Sequence, residues 1–200
     1  SLDNSLSIHV GDPLTILEQL ITKHKITTVF WNRCYEPWRV TRDTQIKQSL
    51  NEQAIPVESF NGSLLWEPWE TVKADGDPYR VFSPFFKRGC MKAPPPRMPL
   101  PRPKNLKLIK DQQNVDISQL QLLPAIRWDQ KLEPTWQVGE AGAQKQLREF
   151  LDEGIGNYKE GRNFPAQKHV SRLSSHLHFG EISPNQAWYA AQQVQAESGH

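Results

Sequence analysis

YKEGRNFPAQKHVSRLSSHLHFGEISP, residues 158–184, gathers small hydroxyls, arginines, histidines and helix-start signals in a pattern that ordinary core does not need. Ser171, Arg172, Leu173 and Ser174 stand just before an apolar helical run of Leu173, Leu177 and Phe179, where N-caps and the orphan N–H groups of a helix start fall. Such a start attracts anions. Arg172 adds a fixed charge with a fork of donors suited to phosphate or carboxylate, and Tyr158 offers a flat amphipathic face with one hydroxyl. Two readings fit these residues: a phosphate-facing surface on a helical domain, and a serine-capped helix that simply packs.

The flanks of this stretch are helical in pattern. Glu140 begins a run in which Ala143, Leu147, Phe150 and Leu151 share a face and Lys145, Arg148 and Glu149 take the other, until Gly154 and Gly156 stop it. A second amphipathic segment starts at Pro184 with Ala187, Trp188, Ala191 and Val194. No strand signal follows Trp136, so the C-terminal part reads as all-α.

Upstream, Pro94, Pro95, Pro96, Pro99, Pro101 and Pro103 crowd one stretch together with Lys92, Arg97, Arg102, Lys104, Lys107 and Lys110, and no acid intervenes before Asp111. Proline at this density forms an extended connector, not a helix or sheet. Its charge suits either nucleic-acid contact or a solvated surface linker.

The first third alternates. Leu6 to Val10 is a strand candidate, Asp12 and Pro13 cap a helix to about His24, Thr27 to Trp31 is an apolar strand, Arg42 to Glu52 a second helix, and Ile55 to Phe60 a further strand. That order predicts a parallel, Rossmann-like α/β sheet with a ligand crevice beyond the carboxyl ends of its strands. Asn32, Arg33, Tyr35 and Glu36 are placed to line it, or to form a polar loop with a salt bridge. Trp66, Trp69, Phe82, Phe85 and Phe86 read as packing aromatics.

Composition narrows the classes. The chain has 200 residues, 37% hydrophobic and 23% charged, with a formal net charge of +2, which neither demands nor excludes a nucleic-acid partner. Cys34 and Cys90 lack any metal-ligand spacing and argue against a disulfide-stapled secreted domain; no run approaches a membrane span, and Ser1-Leu2-Asp3-Asn4 opens no signal sequence. The six histidines are scattered, with His176 and His178 two apart, so no metal site is expected. No Gly-x-Gly-x-x-Gly or Gly-Lys-Thr/Ser loop occurs. Without an initiator methionine, the chain reads as a fragment.

Arg162-Asn163-Phe164-Pro165, Ser171-Arg172-Leu173-Ser174 and His176-Leu177-His178-Phe179-Gly180-Glu181-Ile182-Ser183 follow Tyr158 in an order that resembles the DNA photolyase and cryptochrome family. Trp31-Asn32-Arg33, Tyr35-Glu36-Pro37, Arg42-Asp43, Asn61-Gly62-Ser63-Leu64-Leu65, Glu67-Pro68-Trp69-Glu70 and Val81-Phe82-Ser83-Pro84-Phe85 extend the resemblance over most of the chain. The His-Leu-His-Phe-Gly-Glu run is most similar to bacterial cyclobutane-dimer photolyases near plant cryptochromes.

The resemblance implies part of an α/β antenna domain (1–89), a long Pro-rich linker (90–135) and the start of an all-α FAD-binding domain (136–200). FAD contacts fall on Tyr158, Val170, Ser171, Arg172, Leu173 and Ser174, and Arg162 faces the DNA backbone. Val170 stands where the family usually has threonine, and Ser175 where close relatives often have proline. The implied reaction is light-driven splitting of cyclobutane pyrimidine dimers in damaged DNA by electron transfer from reduced FAD, in a cytoplasmic bacterial monomer. Methenyltetrahydrofolate is the implied antenna, without assigned contacts. The catalytic residues and the tryptophan path are expected beyond His200, so the fragment alone is expected to be inactive. A cryptochrome-type photoreceptor and, outside the family, a generic α/β nucleotide-binding module are the competing readings.

Overall fold

A computed structural model describes residues 6–104, 106–109 and 115–197. Ser1 to Asn4, Lys110, Asp111 and His200, which entered the readings above, lie outside the described residues. The chain divides into two compact units, one of Ser1–Phe60 with Pro101–Pro134, the other of Asn61–Leu100 with Thr135–His200.

In the first unit, helix α1 (Pro13–His24) starts where expected. Asp12 is extended and its Oδ1 accepts from the Thr15 N–H at 2.9 Å, while Pro13 brings a φ already suited to the first turn. Strand β1 (Val29–Asn32) leads into helix α2 (Pro37–Glu52) and then strand β2 (Val57–Phe60). The two strands pair in parallel, Val29 opposite Val57 and Asn32 opposite Phe60. A parallel pair needs a crossover, and α2 supplies it.

Ile46, Leu50 and Val57 form the core of this unit, closed by Leu14, Leu17, Ile21, Val29, Trp31 and Ile55. Leu50 is fully buried, a side chain whose transfer out of water is worth about 2 kcal/mol.

Two local expectations change. Leu6 to Val10 is not a strand: Leu6 and Val10 are exposed, and Ile8 offers its carbonyl to the Val115 N–H at 2.9 Å outside any ladder. Helix α2 begins at Pro37, five residues before Arg42, because extended Glu36 followed by proline makes a helix start out of what reads as loop.

In the second unit, a single turn α3 (Phe82–Pro84) runs into a π-type turn (Phe85–Gly89) and a 3₁₀ turn (Cys90–Lys92). Helix α4 (Glu140–Glu149) continues through a π-type turn (Phe150–Gly154) and a 3₁₀ turn (Ile155–Asn157) into α5 (Tyr158–Gly161). The short α6 (Ser174–His178) and the longer α7 (Pro184–Glu197) follow. Ala143 and Leu147 of α4 meet Leu173 and Ile182 in the core, with Leu151, Ala187 and Ala190 packed around them.

The aromatics divide. Trp66 meets Trp188 edge-on at 5.5 Å, as packing residues do, whereas Trp69, Phe82 and Phe86 are exposed, the two phenylalanines stacked on each other at 5.9 Å.

Candidate functional site

The segment 158–184 lies wholly in the second unit, and its geometry starts from Phe150. Continuation of α4 through a π-type turn directs the Phe150 ring against Tyr158, edge-on at 5.9 Å. Gly154 sits against that ring and against the Lys168 carbonyl, so the returning chain 164–172 passes close to the turn. Phe150, Val170 and Arg172, with Gln146, Glu149, Glu153 and Lys168, line a pocket of about 260 Å³. Tyr158, Val170 and Arg172 are thus brought together around one ring.

Arg162 places its guanidinium 5.6 Å from the centre of the Tyr158 ring and is otherwise exposed. A guanidinium stacked on a tyrosine keeps its N–H edges available to an anion. Immediately before Arg162, Gly161 packs so closely on His169 that a Cβ there would overlap the imidazole.

Ser171, Arg172, Leu173 and Ser174 serve different ends. Leu173 is core, Ser171 is half-buried, and Arg172 and Ser174 are exposed. Arg172 holds φ 51°, the left-handed region that few non-glycine residues adopt. This bend puts Leu173, itself helical in φ and ψ, at the cap position of α6, and no side chain caps the helix. The serine-cap reading therefore fails: the cap role requires an extended residue with a short side chain, and the left-handed Arg172 moves both hydroxyls out of that place.

The first backbone bond of α6 is the Leu177 N–H to the Leu173 carbonyl at 2.8 Å, so the N–H groups of Ser174, Ser175 and His176 precede it as the open donors of a helix start. The buried Ser175 Oγ has no partner in the protein. Open donors, one orphaned hydroxyl and a strained arginine together fit an anionic, phosphate-bearing ligand.

Glu181 and His176 form a pair that sequence spacing alone did not single out. Their separation of five residues across Gly180 was the available signal. His176 is 5% exposed, and its Nδ1 donates to Glu181 Oε2 at 2.5 Å; Glu181 Oε1 accepts the Gly139 N–H at 2.7 Å. The His176 hydrogen bond, aided by the Gly139 N–H, holds the Glu181 carboxyl below its ordinary range.

In the first unit a cleft of about 420 Å³ opens where β1 ends, lined by Asn32 together with Phe30, Trp31, Cys34, Arg42 and Asp43. Arg33, Tyr35 and Glu36 are not among its walls. Arg33 instead binds Ser59, with Nη2 donating to its carbonyl at 2.5 Å, and Glu36 faces Arg39 at 3.7 Å. Among the described residues no group of three metal-ligating side chains occurs, and no helix is long and apolar enough to cross a membrane.

Against this geometry stand three comparisons. The DNA photolyase family model matches residues 1–104. The chain is 39% identical over 182 residues to a deoxyribodipyrimidine photo-lyase of Agrobacterium fabrum, covering 90% of this chain and 38% of that protein. It is 31% identical over 186 residues to cryptochrome-1 of Arabidopsis thaliana, covering 89% and 26% respectively. Among solved structures, a bacterial class III photolyase from Agrobacterium tumefaciens matches with a TM-score of 0.83 at 38% identity, again over 90% of this chain and 38% of that one. The chain spans 38% or less of the length of these relatives.

Proposed function

The chain belongs to the DNA photolyase family, and from that premise we propose that it forms part of a deoxyribodipyrimidine photolyase, a light-driven lyase that splits cyclobutane pyrimidine dimers in DNA with FAD as cofactor. The observation that carries this reading is the run of open donors at Ser174, Ser175 and His176 beside the left-handed Arg172. Its unpaired N–H groups and the Ser175 hydroxyl fit the pyrophosphate of FAD, with Val170, Ser171, Arg172, Leu173 and Ser174 along the ligand and Tyr158 at its flank. Reduced FAD, when bound, supplies the light-excited electron that opens the cyclobutane ring.

The protein's own work is positioning. Arg162, exposed and stacked on Tyr158, holds a phosphate of the damaged strand without reading its sequence. A dimer is weakly paired and stacked, so extruding it from the duplex costs less than extruding a normal pair. Leu173, anchored in the core, fixes the cofactor segment to α4.

A methenyltetrahydrofolate antenna belongs to the same proposal and is placed with residues 1–89, whose cleft beyond β1 has a volume within the range of small-molecule sites. The Pro-rich linker of 90–135 and the helical flavin domain from 136 complete it.

The likeness to cryptochrome-1 favours a second reading, a blue-light photoreceptor with the same cofactor segment and little repair. The deciding experiment uses the complete gene product carrying this chain, illuminated with blue light in the presence of ultraviolet-irradiated DNA. Falling dimer content supports the lyase. Unchanged dimers in both single- and double-stranded substrate, with flavin bound, would replace it with the photoreceptor.

A further inference from the structure

Neither the His176 nor the Glu181 side chain has a role in the cofactor contacts above, yet together they tie α6 to the start of α4. Gly180, at φ 69°, ends α6 with the Glu181 N–H returning to the His176 carbonyl at 2.9 Å and the Gly180 N–H to Leu177 at 3.3 Å. This left-handed glycine turn folds Glu181 back over the helix it follows. From there the two carboxylate oxygens diverge, one to the imidazole of α6 and the other to Gly139 at the start of α4. A carboxylate only accepts, so the His176 Nδ1 must carry its proton toward Glu181, which fixes the ring.

Apolar contacts alone leave the segment freedom to slide. Leu173 anchors residues 171–175 on one side, but a leucine against alanine and isoleucine sets proximity, not register. The buried His176 anchors them on the other side through directional bonds. We propose that Glu181 and His176 are positioning residues for the flavin-contact segment 171–175, acting as a carboxylate clamp that fixes this segment on α4 without touching the cofactor. The proposal rests on the FAD reading for its ligand and on the geometry of the clamp for its mechanism.

The test compares Glu181→Ala, His176→Ala and Glu181→Gln in the complete gene product. Glutamine keeps one oxygen to accept from Gly139 and turns its Nε2 toward the imidazole, which can accept at Nδ1 by carrying its proton on Nε2 instead, so it should restore what alanine removes. Expected for both alanine variants is a drop in FAD affinity of about tenfold or more, as for lost bonds to a charged group, with blurred vibronic shoulders on the flavin's blue band. Glu181→Gln should stay near wild type in both. In parallel, amide exchange without flavin should quicken at residues 171–175 in Glu181→Ala while the Leu147 region keeps its protection. Unchanged exchange there, unchanged FAD affinity in Glu181→Ala, or a Glu181→Gln as impaired as the alanine variant would overturn the clamp. Wild-type protein that takes up no flavin would overturn the FAD reading instead, with the exchange measurement still deciding the clamp.

Discussion

Tyr189 donates its hydroxyl to the Pro96 carbonyl at 2.5 Å across 93 positions of sequence. Two further donors act on the same strap: Trp66 Nε1 reaches the Pro94 carbonyl at 2.8 Å and Asn185 Nδ2 the Arg97 carbonyl at 2.6 Å. A proline run has few N–H groups and cannot join a sheet, but its carbonyls still need donors. Side chains from α7 and from Trp66 supply them, in the manner of domains that bind proline-rich peptides.

Removing one of these donors should cost measurable stability. Tyr189→Phe is expected to lose about 1 kcal/mol, an ordinary net hydrogen bond. Asn185→Ala should lose more, about 1–3 kcal/mol, because the site is only 5% exposed and the Arg97 carbonyl would be left without its partner. Urea denaturation of both variants checks the order, and equal midpoints for wild type and Asn185→Ala would refute it.

Gly161→Ala makes a sharper case. The added methyl would overlap the His169 imidazole, whose Nδ1 is already buried without a partner, so the chain 164–172 must move. A loss of about 1–3 kcal/mol is expected, as for other overpacked sites. A thermal melt within error of wild type would show that His169 swings aside freely.

Acid should weaken the second unit through Glu181. Its folded-state pKa lies below the ordinary 4.5 because His176 and the Gly139 N–H bond the carboxylate. Stability from this group is therefore fully present above pH 4.5 and is lost as pH falls through the depressed folded value. Glu181→Gln carries no such dependence, so the stability gap between wild type and variant should narrow on acidification below 4.5. A gap constant from neutral pH into the acid limb would contradict the linkage.

Much of the framework was legible before the structure, for definite reasons. Asp12-Pro13 marks the start of α1 unambiguously, and the apolar run at Val29 does pair in parallel with Val57, although only one face of the pair is covered, with Phe30 61% and Phe60 49% exposed. Helix α4 showed its buried face in Ala143 and Leu147. What escaped were features decided by backbone turns. Pro37 opens α2 early, Arg172 enters a left-handed conformation that no propensity favours for arginine, and Gly180 folds Glu181 onto His176. The serine cap failed for the same reason: hydroxyl spacing is visible in sequence, but the φ of the residue between them is not. The proline strap looked like a free connector because its donors stand 28 to 93 residues away.

Arg162 is expected to act on DNA as a phosphate contact. Arg162→Ala should weaken binding of dimer-containing duplexes about equally in every sequence context and reduce the slope of log affinity against log salt by about one unit. The stacked position over Tyr158 predicts a further distinction. Arg162→Lys should recover the salt slope but not the full affinity, since an ammonium neither stacks on the ring nor forks toward phosphate. A substitution that changes the affinity for one sequence only would place Arg162 on a base edge.

Val170 lines the pocket beside Phe150 and Arg172 and is 38% exposed, so its side chain is open to a ligand while contributing no hydrogen bond of its own. Threonine has nearly the same shape and adds one hydroxyl at that wall. If the flavin phosphates pass this point, Val170→Thr should tighten FAD by about 1 kcal/mol, roughly fivefold, through one added bond to a charged acceptor. The same change should leave the melting temperature of the flavin-free protein nearly unaltered, because a partly exposed position tolerates the hydroxyl. Equilibrium release of flavin from the complete gene product, read by its fluorescence, measures the first effect. Looser flavin in Val170→Thr would mean that the ligand presents an apolar surface to this wall, and the path of the phosphates along 170–174 would have to be redrawn.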